Sequence, residues 1–267
     1  MATKAHCLLC FETLDAELNK REARSLDQIT ASWALYSAAR ADRLASRGPA
    51  YQRLVSGDAS SGSSSSTSLA PSTATTSVNS TTPVAPSSAA LFVTWNTVED
   101  LEAAVNENGE DDAENLVLRG CIGTFEPMDL DDGLSEYAVI SAFHDTRFRP
   151  IRQKELATLQ NAVTLLTDFE PVEDPMDWEV GKHGVRLAFT DRGRRYGSTY
   201  LPDVAAEQGW TKDETLLSLM RKAGWSGNKA AWKDVPLKVT RYQGKKMSMR
   251  YEEFKKWQDW EDHRGDE

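Results

Sequence analysis

Cysteine is scarce here. There are three in 267 residues, an odd and small number that leaves no disulfide framework and points to a reducing compartment. No run approaches the ~18 to 20 apolar residues of a membrane-crossing helix. The first residues also lack a basic-then-apolar secretory pattern, because Glu12 and Asp15 closely follow a short apolar run. The expectation is a protein of the cytoplasm, the nucleus or both, with no membrane attachment. Only four histidines are present, and no second Cys/His pair follows Cys7-Leu8-Leu9-Cys10 at a zinc spacing. Those two thiols read as helix core, and neither metal nor cofactor is expected. RRM, KH, zinc-finger and helix-turn-helix signatures are missing too, which makes nucleic acid the weakest partner class. Arg192-Gly193-Arg194-Arg195 and Lys245-Lys246 then read as hairpin tips.

What is present is a globular composition with additions. Hydrophobic residues make up 40% of the chain and eight tryptophans can fill a core. The net charge of -10 is largely local: residues 99 to 114 hold eight acidic side chains and no basic one. Such a run reads as a solvated acidic loop, within residues 96 to 115. Residues 56 to 90 are dominated by Ser, Thr, Ala and Pro, too poor in large apolar groups to repay the entropy of ordering. They read as a disordered insert, which separates N-terminal helices (1 to 55) from a main body (91 to 251) and a C-terminal helix and tail (252 to 267).

Within the ordered parts, apolar spacing predicts helices over 5 to 24 and 26 to 45, the second turning Ile29, Trp33, Tyr36 and Leu44 inward. Strands are expected at 91 to 95, 116 to 125, 161 to 169, 185 to 189 and 196 to 200. Further helices are expected at 134 to 144, 203 to 208 and 212 to 223. A hairpin around Gly244-Lys245-Lys246 and a last helix to about residue 262 complete the reading. The fold class is α/β (α+β), sheet flanked by helices.

One stretch gathers chemistry: Leu118-Arg119-Gly120-Cys121-Ile122-Gly123. Gly120 and Gly123 remove side chains on either side of Cys121, which suits a pocket floor approached by a ligand or by other backbone. Arg119 could favour the Cys121 thiolate, although alternation along a strand sends neighbours to opposite faces. As a nucleophile, Cys121 would need a base, for which His144 and His183 are the candidate imidazoles, and oxyanion donors near the glycines. Arg119 and Arg147, with Ser141 and Asp145, could instead grip a carboxylate or phosphate. An internal Asp145–Arg147 ion pair is the equal alternative.

The same stretch resembles the AMMECR family, named for the AMME syndrome chromosomal region candidate, whose signature is LRGCIG. Phe92-Val93-Thr94-Trp95, Ile140 to Phe148, Leu165 to Glu170, Asp177 to Gly184 and Thr199 to Ala205 extend the likeness to about residue 251. The resemblance implies a two-lobed domain around mixed or antiparallel sheet, and it brings no established catalytic activity. It also implies that Asp145-x-Arg147-Phe148 is the family element, whereas the position of His144 is commonly another residue such as Lys. The acidic connection before Leu116 is longer than is usual in the family. From these readings the expected function is binding of a small anionic ligand or peptide around LRGCIG, with thiol catalysis at Cys121 as an extension. A protein-interaction adaptor is the alternative.

Overall fold

The structure, a computed structural model, describes residues 1–45, 87–103 and 115–264. Most of the serine-rich insert, the heart of the acidic loop and the side chain of Leu44 lie outside them. The chain begins with α1 (Lys4–Asn19) and α2 (Leu26–Ala45), followed by the strands β1 (Ser88–Val98) and β2 (Leu116–Asp129). Next come α3 (Leu130–Val139), which widens into a π-turn over Ile140–His144, a 3-10 turn (Gln153–Thr158) and β3 (Leu159–Val172). The hairpin β4 (Gly184–Asp191) and β5 (Arg194–Tyr200) precedes α4 (Pro202–Glu207) and α5 (Lys212–Lys222). The long strand β6 (Leu237–Arg250) runs into α6 (Tyr251–Arg264). Among the described residues no helix is long and apolar enough to cross a membrane.

The six strands form one antiparallel sheet in the order β2-β1-β3-β6-β4-β5. The two lobes therefore share a sheet. Strands β3 and β6 run through both, and a bulge between Thr167 and Glu170, with Asp168 at φ 56°, bends the sheet where one lobe gives way to the other. The longer helices cover one face, and the short α4 sets its Pro202 beside Gly244 on the other. In the first lobe Phe11, Leu14, Leu134, Phe254 and Trp257 pack on Val93, Trp95, Val163 and Met249. In the second, Leu216, Leu219 and Met220 pack on Val185, Leu187 and Val239. Between the two cores, on the other face, Tyr242 is fully buried among Leu166, Phe125 and Phe169.

Three expectations need correcting. The anticipated hairpin at Gly244-Lys245-Lys246 does not exist: Gly244 pairs with Leu166 inside β6, and a Cβ there would stand 3.1 Å from Thr164 and 3.5 Å from Pro202. Gly244 serves close approach rather than a turn. Helix α1 stops at Asn19 instead of residue 24, because Lys20 takes the left-handed conformation (φ 54°) and Arg21 folds back onto Glu12 and Asp15 at 2.6 and 2.7 Å. It is also buried on every side from Ala5 to Ala16, with more than an apolar stripe covered. Helix α3 starts four residues earlier than expected, since Asp129 accepts the amides of Asp131 and Asp132 as an N-cap. Cys7 and Cys10 are fully buried, and burial pushes the Cys7 thiol up to about 12.

Candidate functional site at the edge of the sheet

Strand β2, carrying LRGCIG, is an outer strand of the sheet, with Cys121 opposite Thr94 and Gly123 opposite Phe92 on β1. An edge strand points alternate N–H and C=O groups away from the sheet, where they would go unpaired or recruit another chain. At Cys121 side chains meet both. Its N–H donates to Asp145 Oδ2 at 2.9 Å, and its carbonyl accepts from Arg147 Nη2 at 3.0 Å. Asp145 and Arg147 thus make the two hydrogen bonds that a further strand would make.

That pair is itself fixed. Arg147 Nε donates to Asp145 Oδ1 at 2.9 Å and Nη2 to Oδ2 at 2.7 Å, while the Arg147 backbone N–H adds a bond to Oδ1 at 3.2 Å. The Arg147 guanidinium holds the Asp145 carboxyl well below the usual carboxylate range, and the carboxylate raises Arg147 in return. The Asp145 side chain is 3% exposed and that of Arg147 54%. Local sequence sets this up: the π-turn ends at His144, and Asp145 leaves it with extended backbone, so its carboxylate reaches the strand.

The glycines are explained by the same turn. A Cβ on Gly120 would stand 2.1 Å from the Ser141 carbonyl oxygen, and one on Gly123 would stand 2.3 Å from the Leu91 carbonyl and 2.4 Å from the Phe92 ring. The expected pocket floor is therefore occupied by the protein's own backbone and an aromatic ring. Ser141 faces inward, donating to Tyr137 O at 2.6 Å. Arg119 turns away from Cys121 and clamps the loop: it bonds Glu155 at 3.1 and 3.3 Å and the Arg149 carbonyl at 2.6 Å.

Of the residues singled out from sequence, the structure joins Cys121, Asp145 and Arg147, and stacks Gly120 on Ser141. It does not join the imidazoles to them. His144 is exposed and has no side-chain hydrogen bond among the described residues. His183 Nδ1 accepts the Glu179 amide at 3.0 Å, four strands away at the start of β4. Two partners were missed. Thr94 Oγ1 donates to Cys121 Sγ at 3.2 Å, and Glu155 holds Arg119. Thr94 was within the recognised Phe92 to Trp95 stretch; Glu155 carried no signal beyond its place in the first turn of a short helix. Elsewhere, a groove of about 370 Å³ lined by Leu101, Ala157, Tyr251 and Lys255 contains none of the LRGCIG residues.

The model of the AMMECR1 family matches residues 7–247. The chain belongs to the AMMECR1 family. It is 50% identical over 137 residues to an uncharacterized protein of Schizosaccharomyces pombe, covering 51% of this chain and 69% of that one. An uncharacterized protein of Arabidopsis thaliana is 45% identical over 166 residues, covering 61% and 72%. Among solved structures, an uncharacterized protein of Pyrococcus horikoshii is similar with a TM-score of 0.46 and 27% identity, over 61% of this chain and 74% of that one. In this AMMECR1 domain Asp145 and Arg147 cover the edge of β2 at Cys121, while Arg119 of the same motif ties the loop at Glu155.

Proposed function

We propose that this AMMECR1 domain is a peptide-binding protein whose site is the outer edge of β2 just past Cys121. An extended acidic segment of a protein partner adds there as a strand, giving main-chain hydrogen bonds to Gly123 and a carboxylate to Arg147. The observation that carries this reading is the incomplete use of Arg147. Its Nε and Nη2 hold Asp145 and Cys121, while Nη1 has no partner among the described residues, on a side chain 54% exposed. By strand alternation the N–H and C=O of Gly123 point the same way as those of Cys121, and no described side chain meets them. Pairing there supplies affinity, and the guanidinium supplies charge selection. Thiol catalysis is less well supported, because neither imidazole contacts Cys121.

Selection of a random peptide display library against the full chain tests this. The enriched sequences are expected to carry Asp or Glu, to slow amide exchange at Gly123 when bound, and to lose at least tenfold in affinity on Arg147→Gln while tolerating Cys121→Ser. Enriched peptides that leave the Gly123 amide unprotected, or that bind Arg147→Gln as well as the parent, would overturn the assignment.

A further inference from the structure

Strand alternation divides the second lobe sharply. Val185, Leu187 and Phe189 of β4 are buried in the helical core, while Arg186, Ala188 and Thr190 are exposed on the opposite face. Register extends that face over β5 and β6: Arg186 pairs with Thr199 and Thr240, Ala188 with Gly197 and Lys238, and Thr190 with Arg195. It contains three cations and no carboxylate in a chain whose net charge is -10. Arg186, Arg195 and Lys238 are all exposed and lack ion-pair partners among the described residues. Arg186 and Lys238 are diagonal neighbours across β4 and β6, ~7 to 8 Å apart. Asp191, the acid at the hairpin end, is engaged by Trp225 Nε1 at 2.8 Å.

We propose that the exposed part of this face, around Arg186, Arg195 and Lys238, binds the phosphate backbone of duplex nucleic acid. The class of partner follows from what stands between the cations. Ala188, Thr190, Gly197, Thr199 and Thr240 are small and keep the surface low, so an extended row of phosphates can reach all three charges. The face offers no large apolar side chain to anchor a protein partner or enter a bilayer. Phe169, stacked on Tyr242 at the border of the face, is 40% exposed, but one ring is not the succession of platforms on which the bases of a single strand stack. Contacts to phosphate alone give binding that is indifferent to sequence and steeply dependent on salt. The three cations belong to a different part of the sheet from Arg147, so this site stands or falls independently of the peptide site.

Fluorescence anisotropy of the full chain with a labelled duplex of arbitrary sequence, titrated with KCl, provides the test. Three phosphate contacts predict that log K falls with log[KCl] at a slope of about -3. The triple variant R186Q/R195Q/K238Q should bring that slope near zero, and R186E/R195E/K238E should abolish binding, with both variants keeping the parent circular dichroism. No binding at low salt would overturn the proposal, as would equal affinity in either variant. Tighter binding to a single strand, to a polyglutamate peptide or to anionic vesicles than to the duplex would overturn the assignment of partner.

Discussion

The LRGCIG edge and the exposed face of β4, β5 and β6 belong to one sheet but use their charges in opposite ways. Around LRGCIG the charged groups face each other. Asp145 meets Arg147, Arg119 meets Glu155, and the fully buried Glu12 carboxylate meets Arg21 and Arg24. In the second lobe Arg241 of β6 is likewise held, by Glu170 and Asp177, but Arg186, Arg195 and Lys238 on the opposite face are exposed with no ion-pair partner among the described residues. The paired charges around LRGCIG are parts of the framework, and their removal should cost stability; Arg186, Arg195 and Lys238 are available to a partner, and their removal should cost binding only. The contrast also separates two kinds of glycine. Gly120 and Gly123 admit neighbouring protein atoms, whereas Gly193, at φ 77° with open space around it, makes the β4–β5 turn.

Gly120→Ala is the strongest way to break the first half of this comparison. The added methyl would sit 2.1 Å from a backbone oxygen that cannot rotate away, so a loss of about 3 kcal/mol or more is expected in urea unfolding. Asp145→Asn comes next. It weakens three bonds from Arg147 and one from Cys121, and a loss of about 2 kcal/mol is expected by the same measurement. The pH dependence has a definite sign. Because the folded Asp145 carboxyl lies below its unfolded value of about 3.9, its contribution is complete above that pH and declines as pH falls through the folded value. Stability of the parent should therefore fall more steeply below about pH 4 than that of Asp145→Asn. R186Q/R195Q/K238Q, at the other extreme, should change stability by no more than about 0.5 kcal/mol. A larger loss would mean that these cations also serve the fold.

Much of the fold was legible because the local signals were strong. The start of α2, the β4–β5 hairpin and α5 all follow from apolar spacing and turn residues, and the family likeness covers much the same span as the family match. Errors arose where a residue's meaning depends on a distant neighbour. Gly244-Lys245-Lys246 resembles a turn until Thr164 and Pro202 are seen beside it. Gly120 and Gly123 announce close approach by a ligand or by other backbone, and only the neighbours at Ser141, Leu91 and Phe92 show that backbone is what approaches. For the site, sequence singled out Cys121, Asp145 and Arg147, which the structure joins, without settling the bonds between them. An internal Asp145–Arg147 pair was one of two open alternatives, but the bonding of that pair to the Cys121 backbone requires knowing that β2 lies at an edge. Arg119 was misdirected for the complementary reason, because Glu155 lies 36 residues along the chain.

The central claim is that the edge of β2 is sealed at Cys121 and open at Gly123. Amide hydrogen exchange of the unliganded parent, resolved by residue with NMR, tests it directly. The Cys121 amide, bonded to Asp145 at 2.9 Å, should exchange slowly and the Gly123 amide quickly, with Cys121 becoming fast in Asp145→Asn. Equal rates at the two positions, or a Cys121 amide that stays protected without the carboxylate, would contradict the account.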